Sequence, residues 1–479
     1  MSRSIKPISL LRGAIHPMCK CSFQSSIVVW PITAMLLGML LLLVKVPHVA
    51  AQMQTTELSL DQVVDIALNR NPGITVSEQQ VEAAKARVTQ NTAAYWPQVT
   101  GTASYQRQRA SITSDTGWVS GIMKEYDLYN HYFSASQYIY DFGQTSGLVE
   151  ESRQNLGASR HGWTTTLADV VQQTKRAYYE VLKNQRLVQV AEETLASREK
   201  HLEQASAFYK VGLRPKIDVA RAEVDVASAK QSLIQARYNE NVAYVNLNTL
   251  LGGPPVFGPY RVQDETSRAA RPKDLEPLVD EALKARSEIL QLEAQIRAFE
   301  AHLRSVRGKY LPSVTGAATY GWENTESPLY NYWNVGAQMK WTIFNGFQTQ
   351  GESAETKAKR NQTRAQLEQM RLQVTQQVSQ AFLVLDAAEQ SIITSEVTVR
   401  QAQENLDLAE GRYRTGVGDA IEYTDAQVTL TSAKNTLVQA KYIYLQALVD
   451  LDRAVGRGPG APEPPSPPGV LRGSFTRTQ

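Results

Sequence analysis

The side chains best suited to chemistry are few, and their spacing argues against catalysis. Six histidines are scattered through 479 residues with no His-Glu-x-x-His pair, and both cysteines, Cys19 and Cys21, lie near the amino terminus. That is poor material for a transition-metal site or a thiol nucleophile. Asp141-Phe142-Gly143 spells the metal-binding triplet of protein kinases, yet no His-Arg-Asp loop and no glycine-rich loop accompany it. Asp218 and Glu422 each stand near the start of a helical stretch, where the helix dipole favours an acid, so a cap or first-turn role is one account of both. No enzyme activity, cofactor or metal is expected. A nucleic-acid partner is not expected either, since 50 basic against 47 acidic residues leave a net charge of only +3.

That charge is unevenly spread. Residues 1–51 carry Arg3, Lys6, Arg12, Lys20 and Lys45 and no acid, followed by an apolar run over 27–44 and the small-residue exit Val49-Ala50-Ala51. Basic segment, apolar core and small exit predict a secretory signal peptide over 1–51. The competing reading is an uncleaved anchor, because the run nears the ~18 residues of a membrane span. The long basic start also allows translation to begin at Met18. Cleavage would remove five basic residues and both cysteines, leaving 45 basic against 47 acidic residues and no disulfide framework. Excluding also the proline-rich tail (457–479), the body 52–456 has 42 basic against 46 acidic residues, a net charge of −4.

The body is a duplication. Tyr95-Trp96-Pro97 returns as Tyr310-Leu311-Pro312, and Tyr140-Asp141-Phe142-Gly143-Gln144-Thr145 returns as Phe344-Asn345-Gly346-Phe347-Gln348-Thr349. Tyr209, Gly212, Ile217 and Asp218 find partners in Tyr413, Gly416, Ile421 and Glu422. The offset changes from 215 to 204 between the first two blocks, which places an 11-residue length difference in a loop region. The expected organisation is a first repeat over 52–252, a connector over 253–274, a second repeat over 275–456 and a disordered tail over 457–479.

Each repeat should be helix, two strands, long helix, turn, helix. In the first copy the apolar heptad column is Leu167, Thr174, Val181, Val188, Leu195, Leu202 and Tyr209. In the second it is Val378, Leu385, Ile392, Val399, Leu406 and Tyr413, with a small-residue companion Val374, Ala381, Ala388, Ser395, Ala402 and Ala409. A sustained heptad predicts supercoiled helices, and about 64 residues span roughly 95 Å. Gly212 with Pro215, and Gly416 with Gly418, break the pattern. Strands are expected over 99–111, 129–140, 314–322 and 332–344, in hairpins near the ~10 residues that cross a bilayer in a barrel. Tyr95, Trp96, Tyr140, Tyr310, Trp341 and Phe344 sit at their ends as candidate membrane-interface aromatics. Four strands cannot close a barrel, so any membrane insertion would need several chains.

With Tyr-Trp-Pro, Tyr-Leu-Pro, the two strand-to-helix turns and the two helix breaks, the chain resembles the TolC family of outer-membrane efflux proteins over about 57–456. The resemblance implies an α+β membrane protein with a long α-helical coiled-coil barrel and a trimeric shared β-barrel. It implies a homotrimer in the cell outer membrane, extending into the periplasm. The channel would serve tripartite efflux or type I secretion, with a periplasmic adaptor (membrane fusion) protein and an inner-membrane pump of RND or ABC type as partners. Val211, Gly212, Leu213, Thr415, Gly416 and Val417 would be the adaptor-docking tip. Glu422 and Asp425 would line the pore gate, and Asp218 and Tyr413 would help hold it closed. Gly418 stands where the family often has a basic residue. Three copies of Glu422 and Asp425 around one axis would attract cations and disfavour anions. The alternative is an exported or inner-membrane-anchored periplasmic coiled-coil scaffold or adhesin without a pore.

Overall fold

The computed structural model describes residues 56–112, 122–253, 260–264, 272, 274–325 and 328–457. The signal segment 1–51, most of the connector and the tail beyond Arg457 lie outside the described residues. The chain begins with β1 (Thr56–Leu58), α1 (Leu60–Arg70) and α2 (Pro72–Thr92). Then come β2 (Gln98–Ile112), β3 (Ile122–Tyr140), α3 (Gln144–Lys210) and α4 (Lys216–Leu250). After β4 (Tyr260–Val262) and α5 (Glu276–Ala285), the order repeats as α6 (Ser287–Gly308), β5 (Ser313–Asn324), β6 (Tyr330–Lys340), α7 (Gln348–Arg414) and α8 (Ala420–Val455).

Local chemistry sets these boundaries. Ser59 and Gln62 form a reciprocal capping box at α1. Asn71 ends α1 and caps α2 by accepting from the Gly73 N–H, with Pro72 in the first turn where its missing N–H is harmless. The Asn71 amide also donates to the Leu250 carbonyl at 2.8 Å, tying this joint to the end of α4. Both long helices start from two consecutive left-handed residues, Phe142-Gly143 and Gly346-Phe347. The glycine changes place between copies, yet both positions keep positive φ. In the first copy the Asp141 carboxylate stabilises this turn by accepting from the N–H groups of Gly143 and Thr145.

α3 and α7 have 67 residues each, roughly 100 Å. α4 and α8 return about half that length from the far turns, packing on α3 and α7, while α2 and α6 fill the half nearer the sheet. At mid-length the parallel β1–β4 pair and α1 and α5 wrap the bundle around a core that includes Val63, Leu182, Leu247, Ile289, Val378 and Leu385. A buried ion cluster locks three helices there. Arg453 of α8 reaches Asp169 of α3 at 2.7 Å and Glu288 of α6 at 2.6 Å, and Arg286 adds a 3.1 Å contact to Glu288.

The heptad reading holds in α7. Val378, Leu385, Ile392, Leu406 and Tyr413 are buried, as are Val374, Ala388, Ser395, Ala402 and Ala409 of the companion column. It drifts in α3, where Thr174 and Val181 are buried but the seam then moves to Asn184, Arg198, His201 and Ala205. A helix of 3.6 residues per turn slips ~20° per heptad unless it supercoils with one partner. α3 changes partners along its length, from α2 and α6 to α4 and α8. Tyr209 accordingly ends 46% exposed, while its repeat mate Tyr413 is 2% exposed.

The strands form one antiparallel sheet in the order β2-β3-β5-β6, with β3–β5 joining the two hairpins and both edges unpaired. Gly101, Phe133, Tyr320 and Trp333 are register neighbours in a row across all four strands. Alternation puts Val99, Ala135, Ala318, Val335 and Met339 on that same apolar face, which is uncovered, with Trp333 at 72% exposure. Thr100, Thr102, Ser134, Ser136 and Thr319 line the opposite, polar face. The first hairpin is the longer: β3 residues before Tyr129 pair only with β2, which accounts for part of the length difference between the copies. β6 ends at Lys340 rather than the expected 344, because its partner strand begins at Ser313, directly after Pro312, which has no N–H for the ladder. Among the described residues, no helix is long and apolar enough to cross a membrane.

Candidate gate at the helical tip

The two turns that end the long helices are built alike. Gly212 (φ 76°) and Gly416 (φ 82°) are left-handed, and Leu213 and Val417 donate back to the carbonyls of Phe208 and Arg412. These are Schellman closures, in which glycine takes the left-handed position without penalty. A Cβ on either glycine would meet nothing within 4 Å, so backbone conformation alone demands it. Val211, Leu213 and Val417 around them are exposed, and Thr415 donates its hydroxyl back to Gly411. Gly418 is glycine for another reason. A Cβ there would lie 2.8 Å from Arg412 Cβ and 3.0 Å from the Tyr413 nitrogen. A side chain at 418 would therefore have to displace Arg412 and the end of α7 behind it.

Beyond each turn the acids separate. Asp419 caps α8 by accepting from the Ile421 N–H, and Glu422 follows in the first turn. Glu422 is half-exposed and pairs with Arg412 at 3.3 Å. Asp425, three residues on, is exposed and lines a groove with Ile217, Ala220 and Val224 of α4. Spacing of three places both acids on one side of α8. Asp218, in the first turn of α4, is instead buried and lies near Tyr413. Burial, then the Asp218 charge, pushes the Tyr413 phenol up, with Arg214 opposing. Asp218 and Tyr413 are thus brought together, but the Tyr413 hydroxyl has no hydrogen-bond partner.

Tyr413 belongs to a cluster the sequence reading missed. Its ring stacks on Tyr423 at 5.8 Å, and His201 of α3 lies 4.4 Å from Tyr423 and 5.1 Å from Tyr413. Gln427 donates to the Tyr423 hydroxyl at 2.7 Å and to Ser197 at 3.0 Å. Arg198, almost fully buried, pairs with Asp225, whose carboxylate also accepts from Thr424. Burial and then the neighbouring Arg198 push the His201 imidazole down, against Asp225 and Asp218. Arg214 of the first turn donates to the Gly418 carbonyl at 2.9 Å and to the Tyr413 carbonyl at 3.4 Å, and its guanidinium lies 4.9 Å from the Tyr413 ring centre. Only Asp419 left a readable signal, as an acid directly before a helix start.

At the opposite end Tyr95, Trp96, Tyr140, Tyr310, Trp341 and Phe344 are all exposed around the helix-proximal end of the sheet. The Trp341 indole donates to the Tyr310 carbonyl at 3.1 Å, linking two of them. No group of acids and histidines among the described residues is arranged to hold a metal ion.

An open sheet with one apolar and one polar face, set on paired helices of roughly 100 Å, is the build of an outer-membrane channel protein. The chain belongs to the outer membrane efflux protein family, whose profile matches residues 63–253 and 278–457. It is 26% identical over 419 residues to the toluene efflux pump outer membrane protein TtgC of Pseudomonas putida, covering 84% of this chain and 83% of that one. It is 23% identical over 407 residues to the pyoverdine export outer membrane protein OpmQ of Pseudomonas aeruginosa, covering 83% and 85%. Among solved structures it resembles the outer-membrane channel OprN (TM-score 0.75, 20% identity, 84% of this chain and 91% of that one). It also resembles the open state of the MtrE outer membrane channel of Neisseria gonorrhoeae (TM-score 0.71, 20% identity, 83% and 88%). The chain is therefore an outer-membrane efflux channel reaching into the periplasm, and the poreless scaffold alternative falls away.

Proposed function

We propose that the chain is one third of a homotrimeric, passive exit duct with no catalysis of its own. The observation that carries this is the sheet: β2 and β6 are open edges, and the apolar face is uncovered. Open edges are not tolerated in lipid, so edge-to-edge pairing of three copies into a twelve-stranded barrel satisfies both edges and turns the apolar face to lipid. Tyr95, Trp96, Tyr140, Tyr310, Trp341 and Phe344 would then sit at the periplasmic interface of the bilayer.

The far end would be the regulated end. Glu422 and Asp425 from three chains would ring the constriction, with Asp218 and Tyr413 behind them. Val211, Gly212, Leu213, Thr415, Gly416 and Val417 would receive a periplasmic adaptor that joins the duct to an inner-membrane pump of RND or ABC type. The exposed apolar side chains of both turns support that docking role. Protein purified from outer membranes should cross-link as a trimer and form cation-selective pores in planar bilayers. A monomer without conductance would overturn the reading. Sequencing its amino terminus tests removal of 1–51.

A further inference from the structure

The two helical hairpins of one chain meet at the tip, and one side chain crosses between their turns. Arg214 sits in the first turn, half-buried, between Leu213 and Pro215. Its guanidinium donates to the Gly418 and Tyr413 carbonyls of the second turn and lies over the Tyr413 ring. Those carbonyls belong to the last turn of α7 and the loop after it, where intrahelical donors have run out. A guanidinium suits this position because it stays charged, presents a rigid fork of donors and stacks on aromatic faces.

We propose that Arg214 is the latch that fastens the first tip turn to the second within each chain and holds the constriction in its narrow form. This rests on the reading of these turns as the closed end of the duct. The second turn cannot supply the latch from position 418, because a side chain there would collide with Arg412 and Tyr413. The Tyr413 hydroxyl does not supply it, because it is unpartnered. Contact through carbonyls makes the latch depend on the shape of the second turn, and the ring contact on an aromatic side chain at 413. Opening requires the two turns to part, and parting them leaves the Gly418 carbonyl and a guanidinium to find new partners, while the Tyr413 carbonyl keeps the Gly416 N–H.

The test uses the mature protein, which has no cysteine once residues 1–51 are removed. Spin labels are placed at Val211→Cys and Val417→Cys, both exposed positions, in trimers diluted with unlabelled chains. Pulsed dipolar spectroscopy then reads the distance between the turns of one chain. With Arg214 present the distribution should be narrow. Arg214→Met should broaden and lengthen it, and Arg214→Lys should restore it only in part. A narrow distribution in a folded, trimeric Arg214→Met variant overturns the latch. Conductance separates the two readings. If Arg214→Met loosens the turns without changing conductance, while Glu422→Ala with Asp425→Ala also leaves it unchanged, the gate reading fails and the cross-link stands. If the acid variants alter conductance but Arg214→Met changes neither measurement, the latch fails and the gate stands.

Discussion

His201 lies with its ring centre 4.4 Å from that of Tyr423, an α3 side chain inserted into the α7–α8 seam of the other repeat. The Nδ1 atom of His201, the Tyr413 hydroxyl and the Gln427 carbonyl oxygen are all buried there without partners. Each such group forfeits about 1–3 kcal/mol of desolvation. Among the described residues, three of the six buried side-chain atoms without a partner lie at this tip, as suits the proposed gate.

Acid should loosen that seam. The folded imidazole is held below its ordinary value of 6.5, mainly by burial and then by Arg198. Its contribution is full above the unfolded value and is lost as pH falls through the folded one, because the unfolded tip takes up the proton first. Amide protection factors at the end of α3 and the start of α8 should therefore fall on going from pH 7.5 to below 6.5. His201→Phe should remove that fall within the window. An unchanged pH profile in this variant would refute a role for His201.

The pairing of Glu422 with Arg412 predicts opposite effects from the two partners. Glu422→Ala with Asp425→Ala should raise conductance and weaken block by divalent cations, since the proposed negative ring would be gone. Arg412→Ala should strengthen the block by freeing the Glu422 charge. Because the pair is exposed, its loss should change stability by no more than about 1 kcal/mol. Bilayer recordings in calcium or cobalt, with thermal unfolding alongside, check all three.

Gly416 and Gly418 should respond differently to asparagine. Gly416 needs only a left-handed backbone, which asparagine adopts more readily than other residues, so Gly416→Asn should cost about 1 kcal/mol or less. Gly418→Asn must displace Arg412 and the helix backbone, an overpacking cost of about 1–3 kcal/mol. Limited proteolysis at the tip should show rapid cleavage for the second variant alone.

At mid-length, Arg453→Met should be destabilising by about 1.5–3 kcal/mol, because Glu288 loses its shorter charged hydrogen bond and keeps only Arg286. Burial pushes the Glu288 carboxyl up, but Arg453 and Arg286 outweigh it and hold it below 4.5. The native protein should lose this stabilisation as pH falls from 4.5 through the lower folded value. The variant should start with a lower melting temperature and lose less of it over the same range.

The α7 seam was readable because one pair of helix faces repeats the same contact over many turns, from Val374 to Tyr413. The α3 seam was not, because polar Arg198 and buried His201 replace apolar residues where α3 turns to face α8. The strand register followed from alternation, while the end of β6 depended on a proline in its neighbour. The turns were legible through Gly212 and Gly416. Arg214 left no trace, since its targets are carbonyls, which every residue carries. Glu422 and Asp425 were singled out by likeness to a family, and nothing in their spacing distinguishes them from ordinary first-turn acids.

The equal length of α3 and α7, 67 residues each, carries a consequence for how such a chain can vary. Both begin at the same sheet and both must arrive level at the far plane, where Arg214 meets the second turn. Removing seven residues from one alone would leave the ends roughly 10 Å out of step. Substitutions can accumulate in either copy separately, but a change of height has to be made in both at once.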